Sequence, residues 1–253
     1  MDIVACVKLV YDETQIPLSG DQLLIEEAPV KISDMDKNAL EEAVRIKEEK
    51  GGTVTVVLVV TGPFDETILK EALAMGADRA LIIEGDELVG HNPFRTAQAI
   101  AKAIKEKGIG YDLILCGEGS SDQYSCAMPA MLAEMLSLPV ATFVGSMEVG
   151  EDKVIVERYL EGGFERLEIP LPAVISVTSE VNEPRIPTVI QIMRAGKKEK
   201  INVSASELNL SYPQVELVEI KALIKERKRE KLEGDPSEVA KKIADILAEK
   251  GVI

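Results

Sequence analysis

The sequence predicts an α/β fold. It is an open, mostly parallel sheet with helices on both faces, added antiparallel strands, and a C-terminal arm ending in a helix. Three observations predict it. Short apolar runs alternate with amphipathic stretches of helical period through the first half. Residues 53–60 (TVTVVLVV) are apolar on both faces, as a central parallel strand is. After about Val140 the rhythm changes to short runs separated by glycines, the pattern of antiparallel strands.

The elements follow in order. Residues 3–8 (IVACVK) make the first strand. Asp36 is placed to cap a helix whose apolar face is Ala39, Leu40, Ala43, Val44 and Ile46, and Gly51-Gly52 ends it. The strand at 53–60 comes next. Asp65 caps a second helix with Ile68, Leu69, Ala72 and Leu73 inward and Gly76 closing it. Residues 80–83 form a strand, 96–107 a helix ended by Gly108, and 113–116 a strand that runs into Gly117. This βαβαβα order implies parallel pairing through crossover helices. Residues 147–149, 154–158 and 166–169, with Gly150 and Gly162-Gly163 between them, are the expected antiparallel additions. Residues 171–178 are rich in Val, Ile and Thr, with Pro170 and Pro172 at the entrance, as in a buried strand. A polar break, Asn182-Glu183-Pro184-Arg185, leads through Ile186, Pro187 and Thr188 to Val189, Ile190 and Met193, which recur at helical spacing. The main domain, residues 1–200, is expected to give way to an arm over 201–253. Residues 217–232 are rich in Lys, Arg and Glu. Asp235-Pro236 then opens a final helix with Val239, Ala240, Ile243, Ile246 and Leu247 on one face and Gly251 after it. That face needs a partner, either its own domain or another chain.

Composition narrows the function classes. A chain of 253 residues with 46% apolar residues can bury a sizeable core. No apolar run approaches the roughly 20 residues that cross a bilayer, so the chain is not expected to span a membrane. The start, MDIVACVKLVYDE, reads as a strand with no basic leader, which favours the cytoplasm. A net charge of −15 argues against nucleic acid, which needs a basic footprint. Cys6, Cys116 and Cys126 are widely separated and form no C-x-x-C pair, so neither a zinc nor an iron–sulfur site is expected, and no metal site at all. His91 is the one histidine, and no catalytic triad or acid–base pair is assembled around it.

In an open parallel sheet, ligands bind beyond the carboxyl ends of the strands. Three loops qualify, after Val7, Val60 and Cys116. The last is the richest: Gly117, Glu118, Gly119, Ser120, Ser121, Asp122, Gln123, Tyr124, Ser125, Cys126, Ala127 and Met128, before Pro129. Small residues let a ligand approach the backbone, serines offer hydroxyls, and the following helix start offers free N–H groups to a phosphate. Taken alone the loop is equally a helix cap rich in turn formers. It contains no Walker motif and no G-x-G-x-x-G.

Four blocks carry a resemblance. They are KNALEEAVRIKEE at 37–49, KEALAMGADR at 70–79, YDLILCG at 111–117, and the pattern LPAV-x-x-VT-x-x-x-NEPR-x-P-T-x-x-x-IM-x-A-x-KK at 171–198. In order and in register they resemble the electron-transfer flavoprotein β subunit family, over roughly residues 1–210. The resemblance implies a Rossmann-like nucleotide-binding domain and a heterodimer with an FAD-binding α subunit, around which the C-terminal arm reaches. It implies electron transfer between dehydrogenases, or NADH, and quinone- or ferredoxin-linked acceptors. It carries nucleotide contacts onto Cys6, Ser33, Asp34, Met35, Asp36, Thr61 and residues 117–128, and a place near the flavin onto Thr96. Cys126 and Ala127 lack the side-chain donors usual there, leaving backbone contacts or none. Ser33-Asp34-Met35-Asp36 and the GxGSxDxY form of the loop resemble the Fix-type branch, which is associated with electron bifurcation and holds a second FAD where housekeeping members hold AMP. Asn182, Glu183, Pro184 and Arg185 lead into a partner-docking segment, Ile186, Pro187, Val189, Ile190 and Met193, for a dehydrogenase or quinone oxidoreductase. Arg185 itself suits a structural pairing with a buried carboxylate. After Val-Glu-Arg many members carry Glu; this chain has Tyr159. The first 130 residues alone would also suit a stand-alone adenine-nucleotide-binding regulator resembling universal stress proteins, but the NEPR segment and the arm do not fit one.

Overall fold

A computed structural model describes every residue except 21, 62–63, 86–87, 89–91, 212–217 and 219–228. The chain divides into two compact units, Met1–Ile220 and Lys221–Ile253. The first unit is built on β1 (Asp2–Val7), α1 (Asp34–Lys50), β6 (Thr53–Val60), α2 (Glu66–Met75), β7 (Arg79–Glu84), α3 (Pro93–Glu106), β8 (Leu113–Gly117) and α4 (Met128–Leu136). Between β1 and α1 lie four short strands: β2 (Leu9–Tyr11), β3 (Leu18–Ser19), β4 (Gln22–Leu23) and β5 (Val30–Ile32). They pair as two small antiparallel ribbons, β2 with β5 and β3 with β4. The second half adds β9 (Val140–Val149), β10 (Lys153–Leu160), β11 (Gly163–Pro170), β12 (Ala173–Val177), α5 (Val189–Ala195) and β13 (Glu199–Ser204).

The main sheet has the order β11-β10-β9-β12-β8-β1-β6-β7-β13. Neighbours from β9 through to β13 run parallel, and β10 and β11 complete it antiparallel. Alternation along β1 splits the core into two layers. Ile3, Ala5 and Val7 join α1 and α2 on one face, while Val4 and Cys6 join α3 and α4 on the other. From β1 the chain moves outward through β6 and β7, then returns by α3 to β8 on the opposite flank of β1. The strand order therefore reverses between β1 and β8, and the crevice beyond their carboxyl ends is where such a sheet receives ligands.

Four expectations shift. Asp36 is not a helix cap: α1 starts three residues earlier than such a cap implies, with Ser33 at the N-cap position and Asp36 buried inside the first turn. The third helix starts at Pro93 with Asn92 as its cap, its carboxamide accepting the Phe94 N–H at 3.0 Å. The strand expected at 147–149 begins at Val140, because its first residues lie parallel to β12 before the strand turns to pair with β10. The sheet also continues past residue 200, since β13 pairs with β7 at its edge. Val203 is the one buried residue of β13, and its Glu and Lys side chains are those of an edge strand, which hides the apolar signal.

In the second unit α6 (Pro236–Glu249) is capped by Asp235, whose carboxylate accepts the Ser237 N–H at 3.0 Å. None of its residues is buried, and Ile243 is 45% exposed. Most of the charged stretch at 217–232 lies outside the described residues. Among the described residues no helix is long and apolar enough to cross a membrane.

Candidate functional site: a strapped loop at the sheet crevice and an exposed apolar segment

The loop after β8 is bound tightly to the end of β1 and the start of α1. Asp36 makes the first joint. Its Oδ1 accepts the Gly117 N–H at 3.1 Å and its Oδ2 accepts the Lys8 N–H at 2.9 Å, so one carboxylate links the ends of the two strands that flank the crevice. Burial pushes its pKa up to about 7, against the pull of these two N–H bonds toward the ionised form. Gly117 is required by the closeness of this joint. A Cβ there would lie 2.6 Å from Asp36 Oδ1 and 2.8 Å from the Met35 carbonyl carbon. Ser33 makes the second joint, its buried Oγ accepting the Ser121 N–H at 3.4 Å. Lys8 makes the third, its ammonium donating to Ser120, Asp122 and Gln123. Burial works to raise the Asp122 pKa, but bonds from Lys8 and Ser120 outweigh it and hold the carboxyl below its usual range.

Farther along, the loop takes an unusual path. Tyr124 and Cys126 have φ of 46° and 53°, left-handed values that residues with a Cβ seldom adopt. The Tyr124 hydroxyl donates to Glu118 at 3.1 Å, and its ring lies over Gly119, where a Cβ would be 2.9 Å from Cδ2. Ser121 Oγ is buried and has no hydrogen-bond partner among the described residues. A buried hydroxyl without a partner, in a loop that also carries Gly117 and Gly119, is a polar group a ligand could satisfy.

The expected contact residues sort by position. Met35 and Asp36 meet Gly117, Ser33 meets Ser121, Ser120 and Asp122 meet Lys8, and Gly119 lies against Tyr124 and Cys126. Asp34 is exposed at the helix start and pairs with Lys31 at 2.9 Å. Thr61 is exposed just after β6, and Thr96 lies in the first turn of α3, its hydroxyl 3.4 Å from the Asn92 carbonyl oxygen. Neither has a hydrogen bond to the loop among the described residues. Cys6 points away from the crevice into the α3–α4 core beside Cys116, whose thiol pKa is raised by that neighbour and by burial. Any ligand contact by Cys6 is therefore made by its backbone. His91 lies outside the described residues. Lys8 was not among the expected site residues.

A second constellation lies behind the first turn of α1. Asn38 and Asn182 clasp each other, Asn38 Nδ2 reaching the Asn182 carbonyl oxygen at 2.8 Å and Asn182 Nδ2 reaching the Asn38 carbonyl oxygen at 3.0 Å. Arg185 donates Nε and Nη2 to the Glu41 carboxylate at 2.8 and 3.0 Å, and Nη1 and Nη2 to Glu48 at 2.6 and 2.9 Å. Glu41 is buried. Burial alone would raise its pKa, but Arg185 and Arg45 hold it below the usual range. Arg185 thus has the structural pairing its sequence suggests. Beyond it, Pro184 and Pro187 are half-buried and Glu183 is exposed. A capping box between Thr188 and Gln191 starts α5, and Ala195 is buried against the core shared with α2. Lys198 closes the segment by donating to the carbonyls of Leu73 and Ala77 at the end of α2. Between these clamps Ile186, Val189, Ile190 and Met193 are 92, 74, 63 and 73% exposed, a row of apolar side chains turned to solvent.

Comparison with known proteins now has this geometry to rest on. The family model described as the electron transfer flavoprotein domain matches residues 22–208. The chain belongs to the electron transfer flavoprotein family. It is 34% identical to the electron transfer flavoprotein subunit beta of Thermoanaerobacterium thermosaccharolyticum, across the full length of both chains. The match includes residues 33–36, the 117–128 loop and the exposed apolar row at 186–193, but not β1 or Lys8.

Where the chain departs from the commoner family pattern, the structure supplies a local reason. Tyr159 lies in β10 directly opposite Phe164 of β11, and its ring covers Gly145 of β9, where a Cβ would fall 2.1 Å from Cε2. The Tyr159 ring in this position therefore requires glycine at 145. Among the described residues no group of three or more His, Cys, Asp or Glu is placed to hold a metal.

Proposed function

We propose that this chain is the β subunit of a two-subunit electron transfer flavoprotein, and that residues 33–36 and 117–128 hold an adenine nucleotide. The observation that carries the reading is the crevice between β1 and β8. It combines a loop fixed by Asp36, Ser33 and Lys8 with an orphaned Ser121 hydroxyl and glycines through which a ligand can reach the backbone. These features fit a nucleotide phosphate and ribose. Backbone N–H groups near α4 would face the phosphate, Ser121 Oγ would donate to it, and Asp122 or Glu118 would accept from hydroxyls. The GxGSxDxY form of the loop favours FAD over AMP there, with NADH as donor and quinone- and ferredoxin-linked acceptors in a bifurcating complex. A bound flavin supplies the redox chemistry. The protein's own part is to fix the ring system's adenine end, exclude water at the crevice and present a docking face.

An FAD-binding α subunit is the proposed partner, with the exposed apolar face of α6 supporting the contact. Ile186, Val189, Ile190 and Met193 are the proposed anchor for a dehydrogenase or quinone oxidoreductase, since an exposed apolar row on a clamped helix is how a docking site is built. The test is to purify the chain with its α subunit, release the bound nucleotides and identify them. Two FAD per heterodimer supports the bifurcating reading. One FAD and one AMP assigns a housekeeping carrier. No nucleotide at all overturns the proposal.

A further inference from the structure

Granting the nucleotide reading of residues 117–128, on which it rests, we propose that Lys8 is the positioning residue of the nucleotide site. Its ammonium group fastens Ser120, Asp122 and Gln123 to the end of β1 and so holds the loop in its ligand-receiving form.

The geometry is specific. Lys8 Nζ donates to both Asp122 oxygens, at 2.8 and 2.7 Å, to Ser120 Oγ at 3.2 Å and to Gln123 Oε1 at 3.3 Å. An ammonium has three N–H donors. Four oxygens within reach therefore saturate it and leave none for a phosphate, so Lys8 acts through the loop and not on the ligand. Its backbone completes the joint, because the Lys8 N–H donates to the buried Asp36 carboxylate that also holds Gly117. One residue thus joins β1, α1 and the loop.

The loop needs such a strap. Tyr124 and Cys126 hold left-handed backbone angles that are unfavourable for residues with a Cβ, and these persist only where surrounding contacts fix them. The charge balance points the same way. Asp122 and the buried Asp36 carry like charge at the crevice, and Glu118 adds another carboxyl nearby. The Lys8 ammonium offsets the Asp122 charge that would otherwise repel an anionic ligand.

The test uses the full chain stripped of nucleotide, with AMP and FAD as probes. Lys8→Met keeps the aliphatic stem and removes the strap. Its Kd for the nucleotide that the wild-type chain binds is expected to rise about ten- to hundredfold, as loss of charge-assisted hydrogen bonds in a loop implies. Amide exchange at 117–128 should quicken while the melting temperature and exchange in β1, β6 and β8 stay as in the wild type. An unchanged Kd overturns the proposal. So does a weaker Kd with amide exchange at 117–128 unchanged, which would make Lys8 a direct phosphate ligand. If Lys8→Met does not fold, Asp122→Asn serves instead: it should weaken nucleotide binding and quicken exchange at 117–128, and failure of either overturns the strap. Binding of neither probe by the wild-type chain overturns the nucleotide reading itself, and is seen before any variant is made.

Discussion

Asp36 and Arg185 each solve a burial problem, and they do so in opposite ways. Asp36 is buried with two N–H donors and no cation bonded to it, and burial pushes its pKa up to about 7. The folded state therefore holds a proton more tightly than the unfolded chain, whose Asp titrates near 3.9. The stability Asp36 contributes is fully present below about pH 4 and is lost as pH rises through about 7. Asp36→Asn should remove that fall from the pH–stability curve measured by denaturant titration; a curve that keeps its slope between those values would assign it elsewhere. Glu41 has the guanidinium that Asp36 lacks. Arg185→Ala leaves the buried Glu41 carboxylate with Arg45 as its one remaining guanidinium and should cost about 2 kcal/mol of unfolding free energy. The loss should be largest at neutral pH and shrink as pH falls through the lowered Glu41 pKa, because a protonated Glu41 no longer needs the cation. Of the residues fastened at the crevice, the serines, glycines and Asp122 of the 117–128 loop were singled out through the family resemblance, because their composition alone describes a helix cap as well as a ligand loop. Asp36 was legible only as a cap, since nothing in a sequence separates an aspartate that caps its own helix from one that bonds a strand far along the chain. Lys8 carried no signal, being a lone lysine after an apolar strand.

The same helix serves both sites. The first turn of α1 holds the 117–128 loop through Ser33 and Asp36, and its following turns hold residues 182–185 through Asn38, Glu41, Glu42 and Glu48. The segment proposed to dock a partner is thus clamped by α1 at one end and by α2 at the other, where Lys198 meets the terminal carbonyls. Its exposed face is free to vary without cost to the fold. Val189→Glu and Met193→Glu should change stability by no more than about 0.5 kcal/mol, as surface replacements do, yet lower the rate of electron transfer with a docked dehydrogenase about tenfold or more. Unchanged transfer rates in both variants would move the docking site elsewhere. Elements with a strong period, α1, α2, β6 and β12, were legible because each is buried on a whole face or on both. The edge strand β13 and the ribbons β2 to β5 were not, because they bury few residues and their pairing depends on distant partners.

At the scale of the whole molecule, the strand order places β1 and β8 side by side at the reversal of the sheet, so the crevice is a consequence of topology before any side chain is considered. That topology follows from the βαβ rhythm, which is why the crevice was located from sequence while its fastenings were not. The second unit offers a separate check. Ile243→Glu together with Leu247→Glu on α6 should leave the melting temperature of the chain alone unchanged, since α6 buries no residue, but abolish copurification with the α subunit. Copurification that survives would exclude the α6 face from that contact. The central claim is that the 117–128 loop holds a nucleotide, and the nucleotide content of wild-type and Gly117→Ala heterodimers tests it most directly. A Cβ at 117 collides with Asp36 and Met35 at the loop's first joint. The account predicts that the variant heterodimer assembles and keeps one FAD but loses the second nucleotide that the wild type releases. A Gly117→Ala heterodimer that releases the same nucleotides in the same amounts as the wild type would contradict it.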